Sequence, residues 1–231
     1  GGKNPNVIFA DCDYENMLRT TVRSSFANQG QICLCGSRIF VEQSIYEQFK
    51  KDFVSAVSQM KVGNPMDAST NIGALVSKSH LEKVKSYIDN AEEYGGTVLC
   101  GGKTVTVEGS EGGYYLQPTI IEVKDNQCKL NQEEIFGPVV TIMPFVTENE
   151  VLEMANDISY GLSATLWTQN LNRTMRMSKQ IQTGIVWVNT WLLRELRTPF
   201  GGTKASGVGR EGGFEALRFF TEPKNICIKY D

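Results

Sequence analysis

No stretch of these 231 residues stays apolar over the roughly 20 positions needed to span a bilayer. The opening Gly1-Gly2-Lys3-Asn4-Pro5 also lacks a secretory apolar core. A soluble, cytoplasmic chain is the expectation. Charge of one sign is missing too: 23 Lys and Arg face 26 Asp and Glu, a net of −3 spread along the chain. Without a basic stripe there is nothing to track phosphates, so neither nucleic acid nor a membrane surface is an expected partner. Histidine is almost absent, with His80 alone. The six cysteines (Cys12, Cys33, Cys35, Cys100, Cys128 and Cys227) are too sparse for a disulfide scaffold and are expected as reduced thiols. The pair Cys33-Leu34-Cys35 has no second pair or histidine set to complete a tetrahedral metal site, and no metal is expected.

What is present is a core-forming composition, 41% apolar and 10% aromatic. Ile45, Phe49, Phe53 and Val57 recur every four residues. Leu81, Val84, Ile88 and Ala91 recur every three or four, so helices are predicted over 44–60 and 78–94. Short β-rich runs (Arg38-Val41, Val98-Cys100, Thr119-Val123, Val139-Pro144, Leu162-Thr168 and Gly184-Asn189) sit between helical segments. That alternation predicts an α/β fold, a mainly parallel twisted sheet flanked by helices. Residues 101–118 hold five glycines and read as a hairpin or excursion, and 199–210 as a long structured loop. Phe214 to Phe220 suits a short helix. Asn225 to Tyr230 alternates like a half-buried terminal strand able to pair with another chain.

The segment Phe26-Ala27-Asn28-Gln29-Gly30-Gln31-Ile32-Cys33 closes a helical stretch at a glycine and presents a thiol before a strand. A thiolate is the strongest ordinary nucleophile, and turn N–H groups can stabilise an oxyanion beside it. A cysteine is more often a small buried hydrophobe, and local features alone favour that reading over catalysis. Glu134, by itself, reads first as a solvated surface carboxylate. The lone His80, near the start of the 78–94 helix, suits capping or solvent, and Cys35 suits packing.

Phe26, Gly30, Gln31 and Cys33 satisfy the cysteine signature of the aldehyde dehydrogenase superfamily, which the chain resembles. The resemblance continues in Glu133-Glu134-Ile135-Phe136-Gly137-Pro138 and in Pro199-Phe200-Gly201-Gly202 with Lys204, Ser206, Gly207, Gly209, Arg210 and Glu211. It also covers the opening Gly1-Gly2-Lys3-Asn4-Pro5, so four motifs stand in family order. It implies attack of the Cys33 thiolate on an aldehyde, hydride transfer to NAD and hydrolysis of the thioester. It further implies that Glu134 binds the nicotinamide ribose hydroxyls and that Phe136 packs near the nicotinamide. In that superfamily a Glu-Leu precedes the opening motif, and that Glu is the general base. An upstream domain supplies the glycine-rich NAD site and an oxyanion asparagine. The chain thus resembles a catalytic-domain piece, expected to be incompetent alone.

Within the superfamily, the stretches Cys33-Leu34-Cys35, Ser37-Arg38-Ile39-Phe40-Val41 and Trp191 to Phe200 resemble the 2-aminomuconic and 2-hydroxymuconic semialdehyde dehydrogenases. These oxidise a short unsaturated aldehyde bearing a carboxylate. An arginine fork can clamp that carboxylate. Arg194 is the first candidate and Arg197 the second, unless both pair with Glu195 or solvent. The expected division is a catalytic domain over 1–212 and a helix plus oligomerisation strand over 213–231, giving a homodimer or tetramer. The alternatives are a non-catalytic oligomerising lobe, a broad-specificity or retinal aldehyde dehydrogenase, and a cysteine hydrolase.

Overall fold

A computed structural model describes all 231 residues. Seven strands form one sheet. In chain order they are β1 (Pro5–Ile8), β2 (Arg38–Glu42), β3 (Gly96–Cys100), β6 (Thr119–Val123), β7 (Val139–Phe145), β9 (Ser163–Trp167) and β10 (Ile185–Val188). Two small pairs stand outside this sheet, β4 (Thr104–Val105) with β5 (Tyr115–Leu116) and β8 (Tyr160–Gly161) with β11 (Thr203–Lys204). The sheet order is β10-β9-β1-β2-β7-β6-β3, parallel throughout except for β3, which runs antiparallel to β6 at one edge. The β4–β5 pair makes the 101–118 excursion a hairpin.

The helices are α1 (Tyr14–Phe26), α2 (Tyr46–Ser58), α3 (Lys78–Asp89), α4 (Lys129–Gln132), α5 (Glu148–Asn156), α6 (Leu171–Gln180) and α7 (Gly213–Phe219). Several starts are written locally. Asp13, Ser77 and Asn170 accept from backbone N–H groups of α1, α3 and α6, and Thr147 with Glu150 forms a reciprocal capping box on α5.

Strand alternation sorts the core into two faces. On one face Ile8, Ile39 and Val41 meet Met17 and Phe26 of α1 and Phe49 and Phe53 of α2. Phe49 and Phe53 stack with centroids 5.1 Å apart, and burying each such ring contributes about 1.5–3 kcal/mol. On the other face Val7, Phe9 and Phe40 meet Val151 of α5 and Met177 of α6. A third cluster sets Val84 and Ile88 of α3 against Ile121 and Val139.

The central strand β1 was not among the expected runs. Its four buried residues, Pro-Asn-Val-Ile, open on proline and asparagine, which tertiary pairing on both sides overrides. The terminal strand expected over Asn225 to Tyr230 does not form: residues 221–231 carry no regular structure, and Ile226, Ile228 and Tyr230 are exposed. These residues pair with no strand of this chain, and alternation alone does not make a strand.

Arg38 enters the sheet fully buried without a carboxylate partner. Its Nε donates to the Lys3 carbonyl at 2.9 Å, and Nη1 and Nη2 donate to the Met154 and Ala155 carbonyls at 3.0 Å each. A cation at the α5 carboxyl end meets the negative pole of that helix. The side chain ties the start of β1 to α5. No helix is long and apolar enough to cross a membrane.

Candidate active site

Because β1, β2, β7, β9 and β10 run parallel, their amino ends lie along one edge of the sheet. Gly2 lies just before β1, the Cys33 turn before β2, Glu134–Pro138 before β7 and Leu162 before β9. Three motifs separated in sequence, with Leu162, converge there because each precedes a strand of the same direction.

The Cys33 turn is built by a reversal. After α1, residues Asn28, Gln29 and Gly30 take φ of 49°, 58° and 70°, three consecutive left-handed residues. Asn28 suits that conformation because its side chain bonds locally, here to the Gln31 carbonyl at 3.2 Å. A Cβ on Gly30 would fall on the Gly137 carbonyl oxygen, so the cysteine signature and the Glu-Glu-Ile-Phe-Gly-Pro motif abut with no room for a side chain. Outside contacts complete the fixation. Gln29 donates to the Ala74 carbonyl at 3.2 Å, Gln31 accepts from the Val76 N–H at 3.1 Å, and Trp191 Nε1 donates to the Leu34 carbonyl at 2.9 Å.

The two thiols of the turn face different surroundings. Cys33 is half-buried and packs against the cluster of Leu34, Leu162, Trp187 and Trp191. Cys35 is buried on the other side, bordering a cavity of about 20 Å³ with Gly2, Lys3 and Glu134. Burial pushes the Cys35 thiol up to about 12, which leaves it inert as a nucleophile. The backbone N–H groups of Cys33 and Leu34 donate to no acceptor in the protein.

Glu134 is half-buried rather than freely solvated. Its Oε1 accepts from the Gly2 N–H at 2.7 Å, and its carbonyl accepts from Lys83 Nζ at 3.2 Å. Oε2 has no donor in the protein and lies over Gly1, where a Cβ would crowd it. Phe136 holds a positive φ of 62°, a strained state for a bulky residue. His80 pins it: Nε2 lies 2.6 Å from the Phe136 carbonyl, and because a carbonyl only accepts, Nε2 carries the proton. The helix is capped by the Ser77 hydroxyl, so the His80 ring serves this loop and not the cap. Nothing in the sequence spacing links residues 80 and 136.

Arg194 and Arg197 part company. Arg197 is exposed and makes a two-pronged pair with Glu195, its Nε and Nη2 at 2.9 and 2.8 Å from the two carboxylate oxygens, and holds the Glu195 carboxyl down at about 2. Arg194 has no carboxylate partner. Its guanidinium lies 4.4 Å from the Phe200 ring centroid, at the border of a cleft of about 390 Å³ lined also by Trp187, Leu193 and Phe220. Trp187 and Phe200 wall this cleft and also pack in the cluster around Cys33.

The molecule is an α/β protein in which a half-buried thiol and an apolar cleft share the wall of Trp187 and Phe200. The chain belongs to the aldehyde dehydrogenase family, whose model matches residues 1–226. It is 53% identical to a 2-aminomuconic semialdehyde dehydrogenase of Bos taurus, with all of this chain and 48% of that protein covered. It is 46% identical to a 2-hydroxymuconic semialdehyde dehydrogenase of Pseudomonas putida, covering 99% and 47%. The crystal structure of a betaine aldehyde dehydrogenase from Staphylococcus aureus in complex with NAD+ superposes with a TM-score of 0.92 at 38% identity, covering 95% of this chain and 44% of that one. The chain thus spans about half the length of the curated relatives it matches.

Proposed function

We propose that this chain carries the thiol-bearing lobe of an NAD-dependent aldehyde dehydrogenase acting on a carboxylate-bearing semialdehyde of the muconic type. The observation that carries the reading is that Cys33 and the unpaired Arg194 border one apolar wall of Trp187 and Phe200. In the proposed reaction the Cys33 thiolate adds to the aldehyde carbon, and the oxyanion that forms is met by the Cys33 and Leu34 N–H groups. Arg194 takes the distal carboxylate through its planar fork, while Arg197, already held by Glu195, is the weaker candidate.

The residues present fit a dinucleotide. Glu134 Oε2 is an acceptor without a donor, suited to the ribose hydroxyls, and Phe136 is fixed beside it by His80. NAD, when bound, supplies the hydride acceptor that converts the Cys33 thiohemiacetal to a thioester. Relatives named for semialdehyde oxidation, and a structural neighbour crystallised with NAD+, support this reading.

We propose residues 1–212 as the catalytic lobe and 213–231 as an oligomerisation segment of a dimer or tetramer. Phe214, Phe219, Phe220, Ile226 and Ile228 are all exposed, an apolar surface of the kind that self-association covers. Six free thiols suit a reducing compartment, which supports a cytoplasmic site.

The test is NADH formation from 2-hydroxymuconic semialdehyde by the protein at its natural length, beside Arg194→Met. The variant should raise KM for the semialdehyde by on the order of 10–10²-fold, the worth of a charged hydrogen-bonded clamp, with little change for an uncharged aldehyde. Equal effects on both substrates would discard the clamp. Oxidation of uncharged or retinoid aldehydes in preference would keep the reaction and replace the substrate.

A further inference from the structure

Asn4 lies at the amino end of β1, 4% exposed, and every polar atom of its side chain is spent on the site. Its Nδ2 donates to the Cys33 carbonyl and to the Cys35 carbonyl, each at 2.8 Å, and its Oδ1 accepts from the Ser163 N–H at 3.1 Å. One amide therefore joins three segments: the start of β1, the thiol-bearing turn and the start of β9, next to Leu162 of the Cys33 cluster.

We infer that Asn4 is a positioning residue for Cys33, locking the Cys33-Leu34-Cys35 turn so that the thiol and the amides beside it face the aldehyde. In a trans peptide the carbonyl and the following N–H point opposite ways. Drawing the Cys33 carbonyl inward to Asn4 therefore turns the Leu34 N–H outward, and that N–H is one of the two that donate to nothing in the protein. The Cys35 carbonyl, held by the same amide, fixes the peptide after the next one, whose Gly36 N–H is taken by the Ser24 carbonyl at 3.2 Å. Both donors of Asn4 are needed, because releasing either carbonyl frees one of the two peptides that set the turn. A side chain that only accepts, such as an ionised aspartate, meets two carbonyl oxygens with no proton to share.

Asn6 supplies the control. It lies two residues along the same strand, is equally buried, and also spends its amide: Nδ2 donates to Thr21 Oγ1 at 3.1 Å, and Oδ1 accepts from Trp167 Nε1 at 3.0 Å. Neither partner belongs to the Cys33-Leu34-Cys35 turn, although Asn6 itself packs beside Gly36 just after it.

The inference rests on the reading of Cys33 as the nucleophile, and the experiment separates the two. In the protein at its natural length, Asn4→Ala, Asn4→Asp and Asn6→Ala are compared for melting temperature, for the rate of Cys33 alkylation by iodoacetamide followed by mass spectrometry, and for kcat and KM. Both Asn4 variants should lower the alkylation rate and kcat by on the order of 10–10²-fold, with KM for NAD little changed. Asn6→Ala should melt lower yet alkylate at the parent rate. Should Asn4→Ala and Asn6→Ala alkylate alike at comparable melting temperatures, Asn4 is structural only and the inference falls. If Asn4→Asp alkylates like the parent while Asn4→Ala does not, the two-donor argument is wrong. Turnover that survives Cys33→Ala would overturn the reading of the nucleophile itself, whatever the Asn4 variants do.

Discussion

Cys33→Ala is expected to lower aldehyde oxidation by on the order of 10⁴-fold or more, whereas Cys35→Ala is expected to leave kcat within a few-fold of the parent. The contrast follows from where the turn sends the two side chains. Cys33 looks onto Trp187 and Trp191 from a half-buried position, and Cys35 is buried on the Glu134 side with its thiol raised by burial. In the proposed reaction, losing Cys33 removes the covalent path. Losing Cys35 removes a small buried side chain and costs about 1 kcal/mol of packing. Steady-state kinetics of the two variants with a good aldehyde, together with mass spectrometry of the acyl adduct, is the measurement. Comparable losses in both would mean that the thiols act as a pair and that their different surroundings do not matter.

Lys3→Met is expected to stabilise the protein by up to on the order of 5 kcal/mol at and below about pH 7, the gain fading to nothing towards about pH 10.5. Lys3 is buried, and its Nζ has no hydrogen-bond partner. Burial, with the Arg38 cation second, lowers its pKa from 10.5 to about 7. Between those two values the unfolded chain holds a proton that the folded chain has shed, so stability rises with pH across that window. Below it, both states are protonated and the full penalty of a buried, unpartnered ammonium remains. Methionine has a similar volume and no charge to desolvate. Denaturant titrations of parent and variant at several pH values check this. A variant less stable than the parent throughout would mean that Nζ has a partner among the nearby carboxylates.

Lys3 and Asn4 show the limit of reading motifs. Both lie inside the opening stretch that carries the family resemblance, yet nothing in their spacing says that one amine is stranded or that one amide holds two carbonyls some thirty residues away. The helices over Tyr46–Ser58 and Lys78–Asp89 were legible because their apolar period follows from local geometry. The hairpin within 101–118 was legible from its glycines. The strand β1 was not, because four residues opening on proline and asparagine carry no period, and its place in the middle of the sheet comes from pairing with β2 and β9. Arg197 and Arg194, three residues apart in one loop, could not be separated until one was seen spent on Glu195 and the other free over Phe200.

By itself, the sequence determined the α/β class, the membership signalled by four ordered motifs, and Cys33 as the thiol presented after a glycine turn. These are properties of local pattern and residue chemistry. Only the tertiary structure decided that three of the motifs meet at the amino ends of parallel strands, that Cys33 and Cys35 have different surroundings, and that His80 bonds the Phe136 carbonyl and Asn4 the Cys33 and Cys35 carbonyls. Each of those facts rests on a contact between residues distant in the chain, and such contacts are set by how the sheet pairs and packs.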